Sequence, residues 1–127
     1  MEGMSLIKNT IMETTHFEQV VTKHSLCPGD LLYNSNALAG ECGEVANIVK
    51  KIRMATIRPE WVHDNAESMG MPEIPEFKIK LKDELGDAFF YLTRMALDNG
   101  LTLNDVMFEQ FEKLAEQSIK YNRTFLK

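Results

Sequence analysis

The segment Leu38-Ala39-Gly40-Glu41-Cys42-Gly43-Glu44-Val45-Ala46-Asn47-Ile48 decides how this chain is read. Leu38, Val45 and Ile48, followed by Ile52, recur at helical spacing, so the segment is the middle of a helix with one apolar face. Residues three apart on a helix share a face, and the side chains of Glu41 and Glu44 therefore project side by side. Like charges at that spacing repel by about 0.2–0.5 kcal/mol on an exposed helix, and by more where burial removes their water. Alone, Glu-x-x-Glu reads as a solvated helix face. A cation is the sharper explanation of what offsets the repulsion, and the remaining chain decides between the two.

Upstream, Pro28-Gly29 is a turn and Asp30 a helix N-cap, so this helix is expected from Leu31 to about Arg53. Lys50, Lys51 and Arg53 then fall in its last turn, where cations complement the helix dipole; Lys51 is also a candidate phosphate contact. Before the turn, a capping box from Thr15 to Glu18 opens a first helix whose apolar stripe is Phe17, Val20 and Val21. Downstream, Pro59, Gly70, Pro72 and Pro75 break the pattern between Met54 and Glu76. Connections of that length in a compact domain are usually functional or mobile. This one holds the only tryptophan, Trp61, which either pins the loop to the core or walls a ligand pocket.

A third helix follows from Phe77, Leu81, Leu85, Ala88, Phe89, Leu92, Met95 and Ala96, and Asn99-Gly100 stops it. Glu84, Asp87 and Tyr91 share one of its faces, giving a second carboxylate pair with a phenol one turn beyond. Thr102 and Asp105 form a capping box, and Leu101 and Val106 a hydrophobic staple, at the start of a fourth helix striped by Val106, Met107, Phe111 and Leu114. Strand-like alternation is scarce. The expected fold is all-α: a four-helix bundle with a long irregular loop between helices 2 and 3.

A chain of 127 residues suits one domain, here residues 1–127. With 44% hydrophobic and 26% charged residues it has the composition of a folded globular protein. Its net charge of −5 argues against a partner held through nucleic-acid phosphates. The N-terminal residues have no basic segment followed by an apolar run, and there are no 18 consecutive apolar residues, so no membrane segment is expected and the chain reads as cytoplasmic. Cys27 and Cys42 lie in no metal-binding or disulfide pattern and are expected as reduced, buried thiols. Asn122-Arg123-Thr124 matches a glycosylation sequon that means nothing without a secretory signal.

Two carboxylate pairs on two helices change the weight of the first. If those helices pack antiparallel, four carboxylates converge into the hard-oxygen environment that Mg²⁺ and Mn²⁺ prefer. Such ions relieve the repulsion and can in turn bind a polyphosphate. No protein nucleophile stands out: neither cysteine has a base partner, and no serine sits in a recognisable elbow.

Gly40-Glu41-Cys42-Gly43-Glu44-Val45-Ala46 and Asp83-Glu84-Leu85-Gly86-Asp87-Ala88-Phe89-Phe90-Tyr91-Leu92 resemble the two signature segments of the MazG-like all-α nucleoside triphosphate pyrophosphohydrolases. Both glycines, the flanking apolar residues and the helix order fit as well as the carboxylates, over roughly Leu31 to Leu114. The resemblance implies hydrolysis of a nucleoside triphosphate, usually a deoxynucleotide or a non-standard one, to the monophosphate and pyrophosphate with Mg²⁺. It makes Glu41, Glu44, Glu84 and Asp87 the metal ligands and the catalytic residues. It also implies nucleotide contacts at Tyr91 and, in the last helix, a phosphate contact at Lys113; Gln19, His24 and Trp61 are candidates for base selection. Gly43 becomes a point of close helix approach. Two departures stand out: Gly40 replaces the leading glutamate of some members, and 39 residues separate Glu44 from Glu84, an excess over the compact spacing of the family.

Other readings compete. Glu13-x-x-His16 and Glu60-x-x-His63 match the pattern of di-iron carboxylate bundles, but one precedes the first helix and the other follows Pro59 in the irregular loop. A non-enzymatic helical interaction module with solvated acidic pairs is the broader alternative. Apolar surface around Phe108, Phe111 and Phe125 points to a homodimer or homotetramer, and relatives of this length resemble such assemblies.

Overall fold

The computed structural model of the chain describes residues 12–58 and 74–121, all of whose regular structure is helical. Four helices follow in order: α1 (Thr14–His24), α2 (Leu31–Ile57), α3 (Ile74–Asp98) and α4 (Leu103–Lys120). The protein is all-α. The sequence positions expected to form the long loop, with Trp61, Glu60 and His63, lie largely outside the described residues, as do Asn122 and Phe125.

Local chemistry accounts for most helix ends, with three differences from expectation. α1 starts one residue before Thr15, and Glu13 is an N-cap with no side-chain hydrogen bond, so no capping box forms there. Glu18 is buried instead of reaching back to the helix start. α2 begins where Asp30 Oδ1 accepts from the backbone N–H of Tyr33 at 2.9 Å, but it runs four residues past Arg53. Met54-Ala55-Thr56-Ile57 contains no breaker, and the helix stops only ahead of Pro59, because a residue before proline is driven out of the helical region. The last turn of α2 consequently carries no basic residue, so Lys50, Lys51 and Arg53 are not the end-of-helix cations the sequence suggested. α3 takes in Ile74 and Pro75, a residue tolerated in a first turn because its missing N–H has no helical partner there. At α4 the expected capping box forms: Asp105 N–H donates to Thr102 Oγ1 at 3.0 Å, and Thr102 N–H to Asp105 Oδ2 at 2.8 Å. Gly29 and Gly100 close their turns with φ of +83° and +73°, conformations that side chains with a Cβ resist.

Contacts divide the chain into two compact units. One comprises residues 1–29 and 93–127, where α1 packs on α4. Its buried side chains are Val21, Ala96 and Leu103, with Glu18, Thr93 and Arg94. Arg94 pairs with Asp98 at 2.6 Å and donates from Nη1 to Ser25 Oγ at 3.3 Å, while its Nε meets no acceptor. The other unit, residues 30–92, holds α2 and most of α3, with Ile48 and Asn34 buried. Phe108 and Phe111 on α4 are exposed, as the sequence leads one to expect, and so are Met107, Leu114, Val20, Leu85 and Phe89 from the apolar stripes of the helices. Neither cysteine is in a disulfide, but Cys42 is exposed and Cys27 only half-buried, contrary to the expected burial. Gly43 is no point of close approach either, since a Cβ added there would meet nothing within 4 Å. Among the described residues no helix is long and apolar enough to cross a membrane.

Candidate metal centre

Within the second unit, α2 contributes Glu41 and α3 contributes Glu84 and Asp87. One carboxylate oxygen from each lies within 4.8 Å of the other two. Helix periodicity produces the arrangement: Glu84 and Asp87 are three apart on α3 and so share a face, and α2 supplies the third oxygen from its apolar-striped middle. Glu41 and Glu84 are half-buried and Asp87 is exposed, so the cluster opens to solvent on the side of α3.

The electrostatic cost falls on Glu84. Desolvation pushes its carboxyl above the usual range, and the negative charges of Asp87, Glu41, Glu44 and Asp83 push it further in the same direction. Glu44 is exposed and is not one of the three whose oxygens converge; its charge nevertheless acts on Glu84. A divalent ion among these oxygens would offset two of these negative charges. Three anionic oxygens and no sulfur or imidazole form a donor set for a hard cation such as Mg²⁺ or Mn²⁺.

Tyr91 follows Asp87 by one turn on α3. Its ring meets Phe90 edge-on, with centroids 5.1 Å apart and planes at 84°. Desolvation first, then Tyr33 and the charges of Glu41 and Asp87, raise the phenol above its ordinary range and keep it protonated. Tyr33 was not singled out by sequence. The signal available was its spacing: Tyr33 precedes Glu41 by eight residues on α2 as Tyr91 follows Glu84 by seven on α3, the register of an antiparallel helix pair.

The remaining candidates are dispersed. Lys51 is half-buried, ten residues beyond Glu41 on α2. Gln19 on α1 and Lys113 on α4 are exposed and belong to the other unit, and His24 closes α1 there. Trp61 lies outside the described residues. Glu13 and His16 sit at the exposed start of α1. A groove of about 560 Å³ on the first unit is lined by Leu101, Asp105, Val106, Glu109 and Gln110 and contains none of the clustered carboxylates.

An all-helical chain with convergent carboxylates on two successive helices defines a class of acidic-site helical domains. More narrowly, the family model described as the MazG nucleotide pyrophosphohydrolase domain matches residues 30–120, and the chain belongs to that family. The match takes in both carboxylate helices and α4. Comparison with curated proteins and with solved structures returns no match.

Proposed function

We propose that the chain is a Mg²⁺-dependent nucleoside triphosphate pyrophosphohydrolase, converting a nucleoside triphosphate or its deoxy form to the monophosphate and pyrophosphate. The observation that carries this reading is the convergence of Glu41, Glu84 and Asp87 from two helices, within the segment matched by the family model. Those three residues would hold the ion, with Glu44 adding charge at its border. Mg²⁺, or Mn²⁺ in its place, would supply charge neutralisation on the polyphosphate and a water acidic enough to attack at neutral pH. The chain's own part is to fix the carboxylates so that they need little rearrangement on binding. Tyr91 offers a neutral hydroxyl beside them, and Lys51 is the cation of the same unit proposed for phosphate.

A cytoplasmic setting agrees with two cysteines held as thiols outside any disulfide. The stacked rings of Phe108 and Phe111 on α4, 6.4 Å apart and exposed to 58% and 49%, support a homodimer or homotetramer that covers them. Light scattering showing a monomer at micromolar concentration would remove that assignment. The activity is tested by measuring pyrophosphate release from a panel of ribo- and deoxynucleoside triphosphates with and without Mg²⁺. Metal-dependent release from at least one of them is expected; no turnover across the panel, with no metal-dependent rise in melting temperature, leaves the acidic pairs as a solvated surface.

A further inference from the structure

We propose that the acidic, aromatic face of α4 docks on the basic, apolar face of α3 in a second copy of this chain. The inference deepens the homo-oligomer reading and rests on it. It starts from an amphipathic helix whose large apolar side chains stand in water. Phe108 and Phe111 stack at 6.4 Å; both are exposed, as are Met107 and, to 83%, Ile119. Surfaces of that kind mark sites of protein association.

Beside the phenylalanines runs a row of carboxylates. Asp105, Glu109, Glu112 and Glu116 recur at spacings of four, three and four, so they share one flank of α4, and all four are exposed. By the same periodicity Lys113 and Lys120 fall on the side of the row away from the rings. The row argues against α4 pairing with its own copy. Laid antiparallel about the middle of the row, two copies set Asp105 against Glu116 and Glu109 against Glu112; laid parallel, they set each acid against itself. Like charges so placed across an interface are costly.

α4 therefore requires a partner helix that carries large apolar side chains and cations in one row, and α3 has such a row. Lys78, Lys82, Leu85, Phe89 and Leu92 follow one another by four, three, four and three residues, and all are exposed. Leu85 and Phe89 are exposed to 50% and 44%. The lysines stand about one and two turns before Leu85, so the apolar part can cover the rings while the ammonium groups reach the carboxylates. On α2 the row Lys50, Arg53 and Ile57 is as basic but offers a single large apolar side chain. Glu84 and Asp87 fall outside the α3 row, which leaves the carboxylate cluster uncovered. Each copy carries both faces, so the contact closes as a reciprocal two-fold dimer or continues into larger assemblies.

The test is light scattering across a concentration series of the full-length protein and two charge-reversed variants, Glu109→Lys/Glu112→Lys and Lys78→Glu/Lys82→Glu. Circular dichroism establishes that each variant is folded. The parent is expected to associate at micromolar concentration, and each variant alone to need at least about tenfold more protein. An equimolar mixture of the two variants should recover the parental association. There the lysines on α4 of one variant face glutamates on α3 of the other, and the native faces complete the reciprocal contact. Raising the salt concentration should weaken association of the parent, a readout that needs no variant if either one fails to fold. Parental association by either variant alone, no recovery in the mixture, or an association that salt leaves unchanged or strengthens would each overturn the docking while the homo-oligomer reading stands. A parent that stays monomeric refutes the homo-oligomer reading, and this inference with it.

Discussion

Replacing Glu41 by Gln keeps the shape of the side chain and removes one of three convergent charges, so it separates a metal site from a solvated acidic face. An ion present at a hundred times its Kd stabilises a folded chain by about 2.7 kcal/mol. Unfolding entropy near 2.1 cal/mol/K per residue amounts to about 0.27 kcal/mol/K for a chain of this length, so the parent's melting temperature should rise by about 10 °C when Mn²⁺ is added at that ratio. Removing partners that merely orient metal ligands already weakens binding by about 10–100-fold, and losing a ligand oxygen charge should cost at least the upper figure. At the same Mn²⁺ concentration Glu41→Gln then sits near its own Kd, where stabilisation is about 0.4 kcal/mol and the rise about 1.5 °C. Differential scanning fluorimetry with a metal titration reads the difference directly, and pyrophosphate release should disappear in parallel. A Glu41→Gln protein with the parent's metal-dependent rise and turnover would refute the metal site.

The field at Glu84 makes a signed prediction for the metal-free protein. An acid whose folded pKa is raised contributes stability that is present below its ordinary value of 4.5 and lost as pH rises through the folded pKa. Glu84→Gln should therefore melt higher than the parent at neutral pH without metal, converge with it below about pH 4.5, and melt lower once Mg²⁺ is present; melting curves across pH check all three. Asp98→Ala should be costly, because it leaves the buried Arg94 guanidinium without its 2.6 Å partner. Breaking a buried pair in this way costs about 3–5 kcal/mol, and urea unfolding should show the loss. At Gly43 a Cβ finds open space, so Gly43→Ala should stabilise α2 by about 0.5–1 kcal/mol through helix propensity alone. A loss measured by the same urea titration would mean that another surface approaches that glycine.

The helices were legible wherever apolar periodicity coincided with a strong local signal. Asp30, the Thr102–Asp105 box and Gly100 each mark a helix end in the structure. Thr15–Glu18 has the same signature and fails, because Glu18 is taken up by burial, a tertiary fact that spacing does not carry. The carboxylates were legible as two pairs on two helices, yet the three that converge are Glu41, Glu84 and Asp87. Position three of a helical repeat places Glu44 near the same face but not at the same point in space. Tyr33 was invisible for a different reason. Tyr91, the phenol it acts on, lies 58 residues away on another helix, a relation that spacing within one helix does not carry. Apolar surface was expected around Phe108 and Phe111, and both are exposed; the hydrophobic pattern of α4 identifies a face to be covered and not what covers it.

The three carboxylates also constrain the order of events at the site. On the proposed reading, free nucleotide would arrive as a polyanion and meet a concentrated negative field, which would slow its approach and weaken its binding. The same field gathers divalent cations. Occupancy should therefore begin with metal, or with nucleotide already carrying its ion, and an excess of metal-free triphosphate should behave as a poor ligand that starves the site of its ion. In kinetic language the acidic cluster acts as a turnstile that admits the neutralised form of its substrate and turns the bare one away.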